Sequence, residues 1–303
     1  ATPLVSNVND VPTGTVTIAG VATQGQVLTV SNTLTDLDGL GVVSYQWLSD
    51  GTAIDGATGS TLTTTQAQVG HAISVRASYT DGFGAVESVT SVATPLVSNV
   101  NDVPTGTVTI AGVATQGQVL TASNTLGDVD VLGVVSYQWL SDGSVIDGAT
   151  GSTFTTTQAQ VGHAISVRAS YTDGFDAAES VTSAATPLVS NVNDVPTGTV
   201  TIAGSATQGQ VLTASSTLGD LDGLGTISYQ WLSDGTAIDG ATGSTLTTTQ
   251  AQVGHAISVR ASYTDGFGAV ESVTSVATPL VSNVNDVPTG TVTIAGVATQ
   301  GQV

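Results

Sequence analysis

The octapeptide NVNDVPTG, which combines two amides with a carboxylate, occurs at 7–14, 99–106, 191–198 and 283–290. The first repeat adds two acidic motifs, DLDG at 36–39 and TDGFG at 80–84, and a further acid at Glu87. Like charges about 4 Å apart repel by about 1 kcal/mol in water and by about 4 kcal/mol at an effective dielectric near 20. A hard cation reverses that repulsion, and Ca2+ takes about six to eight oxygen ligands of these types. These motifs therefore indicate a calcium site.

Two alternatives to calcium stay open from the residues alone: a magnesium site, and acids that bind no metal. Zinc is disfavoured because the sequence lacks Cys and has one His per repeat. Magnesium is possible, although it prefers fewer protein ligands and more water. The acids can also be plain turn residues, because Asp and Asn favour loops whether or not a metal is bound.

The motifs recur because the chain is a tandem array. Ala1, Ala93, Ala185 and Ala277 begin nearly the same sequence, so the period is 92 residues. Self-similarity of this kind is the mark of a repeat protein. The predicted segments are the end of a preceding repeat with its linker, three repeats and the start of a fourth, at 1–10, 11–102, 103–194, 195–286 and 287–303. We expect them to be part of a longer array.

Short β-strands separated by turns must position these acids. Partial alternation of Val, Ile, Thr and aromatic residues predicts strands in the first repeat at 15–19, 26–31, 42–48, 60–65, 72–80 and 86–97. Asp-Gly and Ala-Gly pairs separate these strands, and QAQVG at 66–70 predicts a helical turn. The pattern predicts an all-β fold, a tandem array of immunoglobulin-like antiparallel β-sandwich domains.

In this topology three acidic segments meet at one end of each sandwich, which we name the proximal pole. They are the linker before the first strand, the loop between the second and third strands, and the turn between the last two strands. The predicted metal ligands are the acids and amides of these segments: Asn9, Asp10, Asp36, Asp38, Asp81, Glu87, Asn101, Asp102, Asp128, Asp130, Asp173, Glu179, Asn193, Asp194, Asp220, Asp222, Asp265 and Glu271. In the second repeat Val131 stands where the first repeat has the glycine of DLDG, which predicts a weaker site. Asp176 stands where the first repeat has Gly84, which adds an acid as an outer ligand.

Other polar and aromatic residues have simpler interpretations. Alternation places Tyr45 and Trp47 on one face of the third strand, and we predict that they pack in the core. An aromatic platform for sugars is the alternative. His71 is predicted to be a surface or edge residue. Asp50 and Asp55 occur in Asp-Gly pairs, so they either form turns or complete a site with the next repeat.

Composition excludes several classes of function. The formal net charge is −20, the sequence lacks Lys and each repeat has one Arg, so nucleic acid and anionic membrane surfaces are not expected partners. No apolar run approaches the roughly 18 residues of a membrane span. The sequence shows neither a Ser–His–Asp spacing nor a phosphate-binding glycine loop, and we therefore predict that the protein is not an enzyme.

One long stretch carries a family resemblance. It reads DLDGLGVVSYQWLSDGTAIDGATGSTLTTTQAQVGHAISVRASYTDGFGAVESVTS, and it resembles the tandem immunoglobulin-like repeats of giant repeats-in-toxin adhesins. The NVNDVP motif also resembles the calcium-binding linker of cadherins. The resemblance covers each whole repeat and implies a type-I-secreted protein of the bacterial cell surface, in which calcium stiffens a chain of domains.

Three functions are compatible with these features. The first is a calcium-rigidified extender of a large adhesin, which projects a distal ligand-binding domain and supports adhesion or biofilm formation. Its partners are the neighbouring repeats of the same chain. The second is lateral or end-to-end self-assembly into an extracellular filament or matrix, which exposed sheet edges favour. The third is binding of glycan, ice or a host protein by the repeats themselves, for which the Thr-rich stretch STLTTT at 60–65 is the one supporting feature.

Overall fold

The computed structural model describes residue 2, residues 4–296 and residues 300–301. Within these residues the protein is an all-β tandem array of immunoglobulin-like sandwiches, as the sequence predicts. No helix in this part of the chain is long and apolar enough to cross a membrane. Parts of two predicted segments lie outside the described residues, namely Ala1 and Pro3 of 1–10 and residues 297–299, 302 and 303 of 287–303.

Each repeat contributes seven strands and one short 3-10 helix. The first repeat contains β1 (Val16–Ala19), β2 (Val27–Asn32), β3 (Ser44–Ser49), β4 (Thr52–Ala53), β5 (Thr61–Thr63), the helix Gln66–Gln68, β6 (Ile73–Thr80) and β7 (Val86–Thr90). The second contains β8 (Val108–Ala111), β9 (Val119–Asn124), β10 (Ser136–Ser141), β11 (Ser144–Val145), β12 (Thr153–Thr155), the helix Gln158–Gln160, β13 (Ile165–Thr172) and β14 (Ala178–Thr182). The third contains β15 (Val200–Ala203), β16 (Val211–Ser216), β17 (Ser228–Ser233), β18 (Thr236–Ala237), β19 (Thr245–Thr247), the helix Gln250–Gln252, β20 (Ile257–Thr264) and β21 (Val270–Thr274).

The strands of a repeat form two antiparallel sheets. In the first repeat one sheet has the order β1-β2-β5 and the other has the order β4-β3-β6-β7. The short strand β4 is not among the predicted strands, and it pairs with β3 through Leu48 and Ser49. The second and third repeats repeat both orders. The proximal pole therefore carries the β2–β3 loop and the β6–β7 turn, as the topology predicts.

The last predicted strand is too long. The prediction covers 86–97, but β7 ends at Thr90. Its ladder stops because the hydroxyl oxygen of Ser91 accepts a hydrogen bond from the Val75 amide at 3.1 Å, which replaces a regular strand contact. Pro95 then lacks an amide hydrogen and cannot donate to a sheet.

The core lies between the two sheets and is built around Trp47. Trp47, Leu28 and Ile73 are fully buried, and Tyr45 packs against them while half-buried. The indole Nε1 donates to the carbonyl oxygen of Gly59 at 2.9 Å, so the polar atom of the ring is satisfied inside the core. The prediction of core packing for both aromatic residues is confirmed.

An Asp-Gly pair forms the turn between β3 and β4. Asp50 and Gly51 have φ angles of 45° and 79°, the positive values that a two-residue type I′ hairpin requires. The Asp50 carboxylate contacts His71 Nδ1 at 2.7 Å and accepts from the Ala72 amide at 2.9 Å. The hydrogen bond with His71, followed by that with the Ala72 amide, lowers the pKa of Asp50. Asp50 therefore serves a turn, and exposed His71 has a carboxylate partner from a different part of the sequence.

The chain divides into two compact units, and the division runs through the second repeat. One unit comprises Ala1–Val113, Val119–Phe154 and Ala164–Pro187, and the other comprises Ala114–Gln118, Thr155–His163 and Leu188–Val303. We call the linker between two repeats, with the residues it contacts on both, a joint. The contacts described below for each joint and for each proximal pole lie within one unit.

Candidate metal centre

The linker is bonded to both acidic elements of the proximal pole. The amide of Asp10 donates to Asp38 Oδ2 at 2.8 Å, and the Asn9 side-chain nitrogen donates to Glu87 Oε1 at 2.6 Å. The other two repeats reproduce both bonds at 2.7 Å, through Asp102 with Asp130, Asp194 with Asp222, Asn101 with Glu179, and Asn193 with Glu271. Segments that are far apart in the sequence thus meet as the topology predicts.

Each oxygen of the Asp36 carboxylate accepts one hydrogen bond from the protein. Its Oδ1 accepts from the Asp38 amide at 2.8 Å, and its Oδ2 accepts from the Tyr79 hydroxyl at 2.5 Å. Burial raises the pKa of Tyr79, and the hydrogen bond to Asp36 with the charges of Asp36, Glu87 and Asp81 raises it further. Asp128 and Asp220 hold Tyr171 and Tyr263 in the same way. Tyr79 is buried with the core, and its hydroxyl also bonds to an acid of the proximal pole.

Asp81 has one satisfied oxygen and one unsatisfied oxygen. Oδ1 accepts from the amides of Phe83 at 2.9 Å and Ala85 at 2.7 Å, which is the local turn geometry of an aspartate. Oδ2 is buried and has no hydrogen-bond partner, although Asp81 is only 7% exposed. Asp173 and Asp265 show the same unpartnered oxygen. The turn interpretation of the acids therefore explains one oxygen of each side chain and leaves the other without a role.

A buried carboxylate oxygen without a donor or cation is costly, because it loses its hydration and gains nothing in exchange. Arg76, the one residue of the repeat that is always cationic, does not compensate it. Arg76 is exposed on β6, where its neighbours in the sheet are Gln46 and Thr90. A hard cation, or water, is the type of partner that the Asp81 oxygen requires.

Carboxylates alone do not complete a site. Among the described residues, no group of three or more His, Cys, Asp or Glu side chains is arranged to hold a metal ion. Amide oxygens would have to complete the ligand set, and several are buried without partners: Asn99 Oδ1, Gln66 Oε1, Asn191 Oδ1 and Gln158 Oε1. These four residues are absent from the predicted ligands. They are the first Asn of the NVND motif and the first Gln of the QAQVG motif, so the sequence motifs could have identified them. All of these candidate ligand atoms are oxygens, the type of ligand that calcium prefers.

The preceding repeat covers the acidic loop of the next one. Gln66 Nε2 donates to Asp130 Oδ1 at 3.0 Å, and Asp130 is completely buried. Asp38 is 8% exposed. In the second joint Asp222 is 3% exposed, and Asp222 Oδ1 and Gln158 Oε1 are both without partners. The two joints thus share the same residues and differ in how these residues are bonded.

The second repeat departs from the others at its acidic loop. Val131 has a φ of 78°, whereas Gly39 and Gly223 have a φ of 97° at the equivalent positions. A β-branched residue with positive φ is strained, which agrees with the reason for expecting a weaker site there. Asp176 has a φ of 66°, and its amide contacts the Asp173 carbonyl oxygen at 3.4 Å. The role of Asp176 as an outer ligand stays a prediction.

No family model and no curated protein matches the sequence. Among solved structures, a calcium-stabilised adhesin of an Antarctic bacterium is 15% identical, with 91% of this chain and 75% of that chain covered and a TM-score of 0.29. A tetra-tandem repeat from the extending region of a large adhesion protein is 16% identical, with 87% and 73% covered and a TM-score of 0.29. The D1–D4 ectodomain fragment of ICAM-5 is 14% identical, with 86% and 74% covered and a TM-score of 0.36. Scores and identities this low establish no family for the chain.

Proposed function

We propose that the chain is a calcium-stabilised extender segment of a large bacterial surface adhesin, which holds a distal ligand-binding domain away from the cell. The observation that carries this proposal is the buried, unpartnered Oδ2 of Asp81, Asp173 and Asp265, which recurs at the same place in three successive sandwiches. The role is mechanical and extracellular, and it involves no catalysis.

Each proximal pole has residues suited to a cation. Asp38 and Asp81 would hold it, with Asp10, Asn9 and Glu87 of the same pole completing or surrounding the site. Calcium, when bound, would supply the positive charge that compensates the negative charge of these carboxylates. Pro12 contributes by locking its own φ and so reducing the freedom of the linker. A joint with its charges compensated resists bending, whereas a joint with uncompensated acids is loosened by their repulsion.

Small-angle X-ray scattering of the full chain tests the proposal. Profiles are recorded in calcium and in chelator, and calcium is titrated calorimetrically into the chelated protein. We expect several binding events and a more rigid particle when calcium is bound. Identical scattering profiles in both conditions, with no heat of binding, would overturn the proposal.

Lateral self-assembly is a second candidate, and open sheet edges favour it. Strand β15 pairs with β16 at the edge of its sheet, beside a groove of about 520 Å³ that Val276, Thr278 and Pro279 help to line. Open edges of this kind pair with other strands. The net charge of −20 opposes association until cations screen it. Sedimentation of a 29.9 kDa monomer in calcium at all concentrations would exclude assembly.

Binding of glycan, ice or a host protein by the repeats themselves stays a prediction. Thr61 and Thr63 of the Thr-rich stretch are exposed, but Thr64 is buried and its hydroxyl donates to the Thr23 carbonyl oxygen at 2.6 Å. Part of this stretch therefore serves the fold rather than a binding surface.

A further inference from the structure

Each joint contains a glutamine that uses both ends of its amide on the linker. Gln24 lies in the turn between β1 and β2, at the opposite end of the sandwich from the proximal pole. Its Nε2 donates to Asp102 Oδ2 at 2.9 Å, and its Oε1 accepts from the Val100 amide at 3.1 Å. A single neutral side chain thereby holds both the backbone and the acid of the following NVND motif.

The same arrangement recurs in the next two linkers. Gln116 Nε2 donates to Asp194 Oδ2 at 2.7 Å, and Gln116 Oε1 accepts from the Val192 amide at 3.0 Å. Gln208 contacts the Asp286 carboxylate at 3.2 Å and accepts from the Val284 amide at 3.1 Å. Three occurrences of a two-ended contact indicate a built feature of the repeat.

The backbone around Gln24 holds the glutamine in place. The Gln24 amide donates to the Ser98 carbonyl oxygen at 2.9 Å, and the Ser98 amide donates to the Ala22 carbonyl oxygen at 3.0 Å. The start of the linker is therefore paired with the β1–β2 turn before the side chain reaches Asp102. Because the anchor is backbone, the side-chain contact costs little additional ordering.

The chemistry of a glutamine differs from that of a lysine at this position. An amide donates a hydrogen bond to the carboxylate and leaves the negative charge of Asp102 in place. A lysine would neutralise that charge and compete with a cation. The glutamine can therefore orient the linker acid without removing it from the acidic group of the proximal pole.

We infer that Gln24, Gln116 and Gln208 form a metal-independent latch, which fixes the direction of each linker against the preceding repeat. The latch positions the linker acid, and it operates with or without calcium. This inference goes beyond the proposed extender role, because it holds whether or not a cation binds.

Hydrogen exchange of the full chain tests the latch. The triple variant Q24A/Q116A/Q208A is compared with the triple variant Q26A/Q118A/Q210A, since Gln26, two residues away, is exposed. Exchange is followed by mass spectrometry on the linker peptide that contains Val100 and its equivalents, in chelator. We expect at least a tenfold loss of protection in the latch variant and no change in the control. Equal exchange in the wild-type protein and the latch variant would overturn the inference.

A second variant separates the two halves of the contact. In Q24E/Q116E/Q208E the acceptor for the Val100 amide is kept, but the donor to Asp102 becomes a carboxylate that repels it. We expect the Val100 amide to keep part of its protection, while distance distributions between spin labels on neighbouring repeats broaden. Unchanged distributions in this variant would contradict the role of the Asp102 contact. If scattering does not depend on calcium but the distance distributions of this variant broaden, the proposed role of calcium is refuted and the latch is supported.

Discussion

Replacing Asp81, Asp173 and Asp265 together by asparagine should change stability in opposite directions with and without calcium. Asparagine keeps the oxygen that accepts from the amides of Phe83 and Ala85, so the β6–β7 turn is preserved. It replaces the buried, unpartnered Oδ2 with a neutral amide group. The substitution therefore tests the one oxygen that the turn does not use.

The magnitudes follow from the charge and from linkage. In chelator the variant loses a buried charge that is repelled by nearby acids, so we expect each repeat to gain about 1 kcal/mol or more. In calcium at about 100 times the dissociation constant, the wild-type site contributes about 2.7 kcal/mol, and the variant loses most of it. Because the variant keeps its gain of about 1 kcal/mol in calcium as well, the net loss is about 1.7 kcal/mol, which lowers the Tm of a domain of this size by about 7–14 °C.

Thermal melts followed by circular dichroism, in calcium and in chelator, measure both effects. The control replaces Asp55, Asp147 and Asp239 by asparagine, because Asp55 lies exposed in the turn after β4. We expect the control to shift little in either condition. If the Asp81 variant shifts the Tm equally in calcium and in chelator, the carboxylate is only a turn residue and the reasoning fails.

Three further predictions concern Trp47 in the core, the close approach of Gly41 to the backbone, and the hydroxyl of Tyr79. Trp47→Ala should destabilise the first repeat by about 3–5 kcal/mol, and denaturant unfolding should show one early transition while the other repeats are unchanged. Gly41→Ala should be destabilising by on the order of 1–3 kcal/mol, because the added Cβ would lie 2.0 Å from the Thr80 carbonyl oxygen. Gly59→Ala is the control, since its Cβ meets nothing closer than 3.6 Å. Equal melting temperatures of the two variants would contradict the importance of the Gly41 contact. The raised pKa of Tyr79 means that its stabilising contribution is complete below about pH 10 and is lost as the pH rises further. Tyr79→Phe, made with the equivalent changes in the other repeats, should therefore flatten the alkaline loss of stability measured by urea unfolding, and an unchanged slope would contradict it.

Much of the fold can be predicted from the sequence because it is encoded locally. The alternation in SYQWL predicts a strand with one buried face, and Trp47 is fully buried. The Asp50–Gly51 pair predicts a tight turn, since positive φ at both positions is acceptable for Asp and Gly. The order of the sheets then brings the linker, the β2–β3 loop and the β6–β7 turn together. The first two conclusions need only side-chain periodicity and the allowed backbone angles of single residues, and the third also needs the immunoglobulin-like topology.

Other features depend on contacts between residues that are distant in the sequence. The bond from Tyr79 to Asp36 spans 43 residues, and the bond from Gln24 to Asp102 spans 78. Nothing in the local sequence distinguishes Gln24 from exposed Gln26, because both lie in the turn between β1 and β2. The Gln24 side chain gains its partners only when the linker packs against it. The sequence by itself therefore determined the repeat, the strands and the collection of acids at one pole. Only the tertiary structure decided which carboxylate oxygens are already bonded and which stay buried without a partner, because hydrogen bonding and burial depend on the packing of segments that the chain separates.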